Sequence, residues 1–223
     1  MNHILPLSPY NHIFPDPNEA SSQGIVAYGG DLSVNRVMNG YTKGIFPWFN
    51  ENDPILWWSP DPRFVLDIDH FRVPKSLARV IRKGKFTIKF DQNFKEVIQN
   101  CSKAPRPDQD GSWITDDMVE AYCDIFEAGY GHSFEAYLDG KLVGGGYGVC
   151  VGDIFCGESM FTKVNDASKV AFVALVERLK KNGFRYIDSQ IYTDHLARFG
   201  AKEISRKSYL NIVKEALLNP KEF

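Results

Sequence analysis

Three observations predict an α+β fold. Beyond about Phe64, short β-branched and aromatic runs alternate with amphipathic stretches of helical period. The strand-like runs are bunched ahead of one long helical stretch instead of alternating strictly with helices. The first third differs from the rest, being rich in turn formers and aromatics. The expected division is a small loop-rich N-terminal domain over 1–65 and a regular domain over 66–223, built on a mixed, largely antiparallel sheet flanked by helices. A chain of 223 residues, 43% of them hydrophobic, suffices for one substantial core or two smaller ones.

In chain order, Phe14-Pro15-Asp16-Pro17, Gly29-Gly30-Asp31 and Phe46-Pro47-Trp48-Phe49 read as turns. Between them one helix is expected: Ser33 can cap it, Val34, Val37, Met38 and Tyr41 share a face, and Gly44 ends it. Three prolines in the segment from Asp53 to Arg63 prohibit regular helix, and Trp57 and Trp58 there need burial or stacking. Strands are expected at 86–90, 133–138, 142–151, 154–156 and 185–190, and helices near 74–83, 93–102, 115–128, 166–181 and 206–218. Asp139-Gly140 is a hairpin signal, and Val151-Gly152-Asp153 reads as the next turn.

The 26 basic and 28 acidic side chains leave a formal charge of -2, so any nucleic-acid contact must come from a local patch. Cys101, Cys123, Cys150 and Cys156 lack C-x-x-C spacing and the five histidines form no ligand pattern, so no metal site is expected. Met1 to Phe14 has no basic leader character and is broken by Pro6 and Pro9, and no segment has the length of apolar sequence that a membrane span needs. A cytoplasmic, monomeric protein with free thiols is the expectation.

One helix carries a local patch. Lys75, Arg79, Arg82 and Lys83 gather on one side while Leu77, Val80 and Ile81 lie opposite, and no acidic residue interrupts Phe71 to Phe90. A plain solvated face and a phosphate-backbone contact both fit this pattern; the missing i,i+4 acidic partners favour the second.

Candidate chemistry lies further on. Glu158, in Cys156-Gly157-Glu158-Ser159-Met160-Phe161, would need hydrogen-bond partners if buried. Asp188 and Gln190, at i and i+2 of a strand, are expected to project to one face with Ser189 pointing away. An acid and an amide so placed could orient and deprotonate a nucleophile, or could form a satisfied polar cluster. A Cys156 nucleophile with His195 as base is weaker, having no oxyanion-hole signature. The four tryptophans supply apolar walls or stacking faces.

Gly30-Asp31-Leu32-Ser33, Gly44-Ile45-Phe46-Pro47-Trp48-Phe49, the whole Pro54 to Arg63 segment, Trp113-Ile114-Thr115, Phe155 to Phe161 and Ile187-Asp188-Ser189-Gln190 occur in this order. With these motifs the chain resembles the bacterial leucyl/phenylalanyl-tRNA protein transferases over about residues 13–212. The resemblance implies an aminoacyltransferase. It would move Leu or Phe, and less well Met, from charged tRNA to the N-terminal Arg or Lys of acceptor proteins, in the N-end rule degradation pathway, without cofactor or metal. It also implies a GNAT-like acyltransferase domain, although the R/Q-x-x-G-x-G/A loop that cradles acyl-CoA is replaced by Phe161-Thr162-Lys163-Val164-Asn165-Asp166.

By resemblance, Asp188 and Gln190 form a hydrogen-bond relay to the incoming amine, Glu158 holds the substrate amine, and Trp48 stacks on the terminal adenine. The donor side chain would enter a pocket of Trp113, Phe155, Phe172, Leu175, Leu179 and Ile187, and Lys75, Arg79, Arg82 and Lys83 would meet the tRNA acceptor stem. Two positions depart from the family pattern. Gly146 replaces a pocket methionine, with Phe172 expected to fill part of the space, and Thr193 replaces an asparagine near the acceptor site. An acyl-CoA acyltransferase and a non-catalytic RNA-binding module are the rival readings.

Overall fold

Trp57, wholly buried, organises the first part of the chain: its indole Nε1 donates to Gly29 O at 2.9 Å and its ring meets Phe14 edge-on at 4.8 Å. The computed structural model describes residues 4–105 and 113–223. Strands β1 (Leu5–Pro6), β2 (Ile25–Tyr28), β3 (Phe46–Pro47) and β4 (Leu56–Trp58) form a four-stranded sheet in the order β1-β2-β4-β3, with helix α1 (Val34–Tyr41) between β2 and β3. Ser33 occupies the N-cap position of α1 without capping it. Its hydroxyl donates to Asp31 Oδ1 at 2.5 Å, a hydrogen bond strengthened by the charge of the carboxylate.

The remaining elements are β5 (Arg63–Asp67), α2 (Lys75–Arg82), β6 (Thr87–Phe90), α3 (Phe94–Ser102), α4 (Asp116–Glu127), β7 (Gly131–Leu138), β8 (Lys141–Val151), β9 (Ile154–Thr162), α5 (Ala167–Lys181), β10 (Tyr186–Asp188), α6 (Asp194–Ala197), β11 (Lys202–Ile204) and α7 (Arg206–Ala216). Seven strands form one sheet, β11-β5-β10-β9-β8-β7-β6, in which every neighbouring pair is antiparallel except β9 and β10. This is the expected α+β architecture: a meander, a long helix, a strand and a final helix, in that order. Strand β5 spans the expected division at 65/66 and pairs wholly within the second sheet.

Two apolar layers sandwich the seven-stranded sheet. On one side α3, α4, α7 and the four-stranded sheet share a continuous core that joins Phe14, Val37 and Trp57 to Ile98, Met118, Tyr147 and Val213. On the other, α2 and α5 cover Phe134, Phe155 and Ile187. Two helices of this part are capped by side chains in the ordinary way: Thr115 accepts from Met118 N–H at 3.3 Å and Ser205 accepts from Ser208 N–H at 3.2 Å.

Strand boundaries differ from expectation at the two central strands. β9 runs on to Thr162 instead of stopping at 156, since pairing with β8 continues past a bulge between Tyr147 and Gly148, which leaves Glu158 as the extra, unpaired residue between Gly157 and Ser159. β10 stops at Asp188, because Gln190 adopts φ 60°, in the left-handed region, and turns the chain.

Candidate active site

The parallel pairing of β9 with β10 ends at Asp188 opposite Cys156, and a pocket of about 370 Å³ opens just beyond. An open crevice beyond the paired ends of parallel strands is a place where side chains from several elements converge without filling the space. The apolar walls are Trp48, Trp113, Phe155, Phe172, Leu175 and Ile187, and Glu158, Gln190, Thr193 and His195 add the polar groups.

Two hydrogen-bond networks support the polar edge. In the first, the fully buried Asp188 accepts from Arg63 Nε (2.8 Å), Arg63 Nη2 (2.6 Å), the Tyr209 hydroxyl (2.7 Å) and Gln190 N–H (2.9 Å). Arg63 is itself fully buried, donates Nη1 to Gly44 O at 3.1 Å, and lies against the rings of Phe46 and Tyr209. Burial opposes the Arg63 charge, but Asp188 and Tyr209 hold its pKa above the ordinary value. A buried ion pair of this kind stands because each charge is met by the other and by further hydrogen bonds.

In the second, the half-buried Glu158 accepts from the hydroxyls of Tyr41 (2.7 Å) and Tyr122 (3.1 Å) and from Gln190 Nε2 (2.7 Å). The two hydroxyls are 2.6 Å apart. Burial pushes the Glu158 carboxyl up to about 7 against the pull of those three donors, and Asp188 nearby adds to the rise. Burial, then the adjacent Glu158, keeps both phenols protonated far above neutral pH. With Nε2 committed to Glu158, the amide oxygen of Gln190 is left as an acceptor on the pocket wall.

The alternation expected of a regular strand through 188–190 fails at this point. Ser189 and Gln190 both line the pocket, whereas Asp188 is enclosed behind it and reaches Gln190 only through that residue's backbone N–H. The left-handed turn at Gln190 is the reason. Leu179 is buried a turn beyond Leu175, outside the pocket lining. The atoms nearest the room at Gly146 belong to Met160, Phe134 and Ser159: a Cβ there would stand 2.6 Å from Met160 Cγ, Phe134 Cζ and Ser159 O. Thr193 lines the pocket, and its hydroxyl caps α6 by accepting from Leu196 N–H at 3.3 Å.

Cys156 is 1% exposed, lies outside the lining, and has its thiol pushed up by burial and by Asp188, so no nucleophilic thiolate forms beside His195. The imidazole of His195 is held below its ordinary value by burial and by the charges of Lys169 and Arg198. Among the described residues no three His, Cys, Asp or Glu side chains gather as a metal-binding group, and no helix is long and apolar enough to cross a membrane.

Lys75, Arg79, Arg82 and Lys83 are all exposed, and among the described residues none of them forms an ion pair. Lys75, Arg79 and Arg82 line a shallow concavity with Val173 and Glu177 of α5, whose adjacent face carries Phe172 and Leu175 to the pocket. The turn that would cradle a pyrophosphate before α5 instead carries Asp166, with φ 68° and an ion pair to Lys169 at 2.9 Å. A carboxylate there repels phosphate.

Sequence reasoning missed Arg63, Tyr122 and Tyr209 and read Tyr41 only as part of an apolar face. For Arg63 a signal existed, a lone cation opening the apolar run Phe64-Val65-Leu66. The tyrosines meet Glu158 and Asp188 across 117, 36 and 21 residues of chain, and no local pattern records such contacts.

The sequence pattern of the family described as "Leucyl/phenylalanyl-tRNA protein transferase" matches residues 65–214, and that of its N-terminal domain matches 30–61. A relative from Sulfurimonas denitrificans, named leucyl/phenylalanyl-tRNA protein transferase, is 50% identical over 206 residues, 92% of this chain and 90% of its own. A relative of the same name from Myxococcus xanthus is 50% identical over 93% of this chain and 89% of its own. Among solved structures, L-PGS from Bacillus licheniformis aligns with 69% of this chain and 56% of its own, at 10% identity and a TM-score of 0.41.

Proposed function

The chain belongs to the leucyl/phenylalanyl-tRNA protein transferase family, and from that premise we propose that its pocket receives the leucyl or phenylalanyl group of a charged tRNA, and less well a methionyl group. The group is passed to the N-terminal α-amine of an acceptor protein beginning with Arg or Lys, marking that protein for degradation in the N-end rule pathway. The observation that carries the reading is an apolar pocket closed at one edge by Glu158 and Gln190, hydrogen-bonded at 2.7 Å.

Attack of the amine on the aminoacyl ester forms a C–N bond and breaks the C–O bond to the ribose. The chemistry needs alignment and a proton acceptor more than an energy source. The Gln190 amide oxygen accepts one N–H of the incoming amine and so aims its lone pair. Glu158, pushed up to about 7, is matched at neutral pH to take a proton from that amine and return it to the departing ribose oxygen. Asp188 acts from behind: pinned by Arg63 and Tyr209, it fixes the turn that presents Gln190. Trp48 supplies a face for the terminal adenine, Thr193 borders the acceptor, and Lys75, Arg79, Arg82 and Lys83 take the phosphates of the acceptor stem. The carboxylate before α5 speaks against an acyl-CoA donor.

Labelled Leu-tRNA supplied with two acceptors differing only in an N-terminal Lys or Ala tests the reading. Label is expected on the Lys acceptor alone, with Gln190→Ala lowering transfer by roughly 100-fold or more, as for a lost positioning and proton-transfer group. No label on either acceptor would refute the transferase reading.

A further inference from the structure

Phe155 forms part of the pocket wall and is 1% exposed, so whatever packs behind it decides how far the wall can yield. Toward β8 it has nowhere to go. Its ring lies on the backbone of Gly148, where a Cβ would come within 2.5 Å of Phe155 Cε1. Behind it is Phe223, from the segment that follows α7, stacked at 5.9 Å and 29°.

Phe223 is itself tightly held. Its other partner is His132, stacked at 4.1 Å and 15°, and the Arg178 guanidinium sits 4.7 Å from its ring centroid while Nη2 donates to Phe223 O at 3.1 Å. Phe90 meets it edge-on at 5.9 Å. The backbone leading to it is tied down, with Lys221 N–H donating to Gly152 O and Asn182 Nδ2 donating to Glu222 O, both at 3.1 Å. Stacking against two rings, a cation over the ring and three hydrogen bonds amount to a rigid support for one pocket residue.

We propose that Phe223 is a positioning residue that sets the depth of the donor side-chain pocket by fixing Phe155. The inference rests on the reading of that pocket given above. Truncating Phe223 leaves a void into which the Phe155 ring recedes part-way, since the surroundings of a new cavity relax partially into it. The deeper pocket then contacts a leucyl side chain less well while still filling against a phenylalanyl ring. Side-chain discrimination in an apolar pocket is sensitive at this level, since a single methylene changes it by roughly 10- to 200-fold.

Binding measures this without requiring turnover. The probes are the unreactive amide-linked 3′-leucyl and 3′-phenylalanyl adenosines, titrated into wild type, Phe223→Ala and Phe223→Tyr, each checked for folding by its melting curve. Phe223→Ala is expected to shift the phenylalanyl-to-leucyl affinity ratio roughly three- to tenfold toward phenylalanyl, and Phe223→Tyr, which keeps the ring, to retain the wild-type ratio. If Phe223→Ala does not fold, Phe223→Leu takes its place with a smaller shift in the same direction. Equal weakening of both probes, or an unchanged ratio in a folded variant, overturns the proposal alone. A wild-type protein that binds neither probe overturns it together with the pocket reading.

Discussion

Burial inside the fold makes the Glu158 carboxyl hold a proton up to about pH 7, against the opposing hydrogen bonds of Tyr41, Tyr122 and Gln190, whereas an unfolded chain releases that proton near the ordinary 4.5. Between those values only the folded protein is protonated at this position. Stability from this source is therefore fully present below the unfolded value and is lost as pH rises through the folded one. The loss is at most about 3 kcal/mol from the size of the shift, and smaller where pocket water screens the half-buried group. Glu158→Gln removes the titration. Relative to wild type, the variant should gain roughly 1 to 3 kcal/mol on going from pH 5 to pH 8, read from urea unfolding at both pH values; the same difference at both would contradict it. The need of Glu158 for partners was legible in the sequence, as a carboxylate breaking an apolar run. Their identity was not, because Tyr41 lies 117 residues away. Asp188 and Gln190 were legible as neighbours, but the left-handed turn that sends them to different surroundings has no signature in a residue type that rarely adopts it.

At the scale of elements, α5 joins two surfaces: Phe172 and Leu175 face the pocket, and Val173 and Glu177 border the cationic concavity of α2. On the proposed reading, a tRNA held by α2 would have its aminoacyl end delivered past the same helix. Reversing charge at Arg79 and Arg82 together should raise the apparent KM for charged tRNA by roughly tenfold or more and flatten its salt dependence, since each lost phosphate contact removes about 0.9 from the slope against log salt. The turnover number should stay within about twofold of wild type, as the pocket groups are untouched. Steady-state kinetics at two ionic strengths separate the terms, and a pure turnover defect would contradict the assignment. The five longer helices beyond residue 65 were legible because each buries one stripe, and their observed ends fall within about two residues of expectation, whereas the four-residue α6 was missed. The strands β1 to β4 of the region read as loop-rich were missed, and so were β5 and β11. Arg63–Asp67 follows directly on a proline-rich stretch, and Lys202–Ile204 is only three residues long, so neither shows alternation that stands out from loop.

Across the whole molecule, the four-stranded sheet and one face of the seven-stranded sheet share a single apolar core. Of the four tryptophans, Trp48, Trp57 and Trp58 all lie in the first 58 residues, so tryptophan fluorescence reports chiefly on the small sheet, whereas far-ultraviolet dichroism reports chiefly on the larger one. With a shared core the two signals should fall together in one transition on denaturation, and a fluorescence change well ahead of the dichroism change would show the two parts to be independent. The change of texture along the sequence was legible as two regions. Their fusion was not, because it depends on contacts between residues far apart, such as Tyr41 with Tyr122. The pocket carboxyl draws its partners from α1, α4 and the turn after β10, and is itself carried on β9. On the proposed reading, a copy of the enzyme damaged in either region would lose its chemistry with its shape, and fall silent instead of tagging its neighbours indiscriminately.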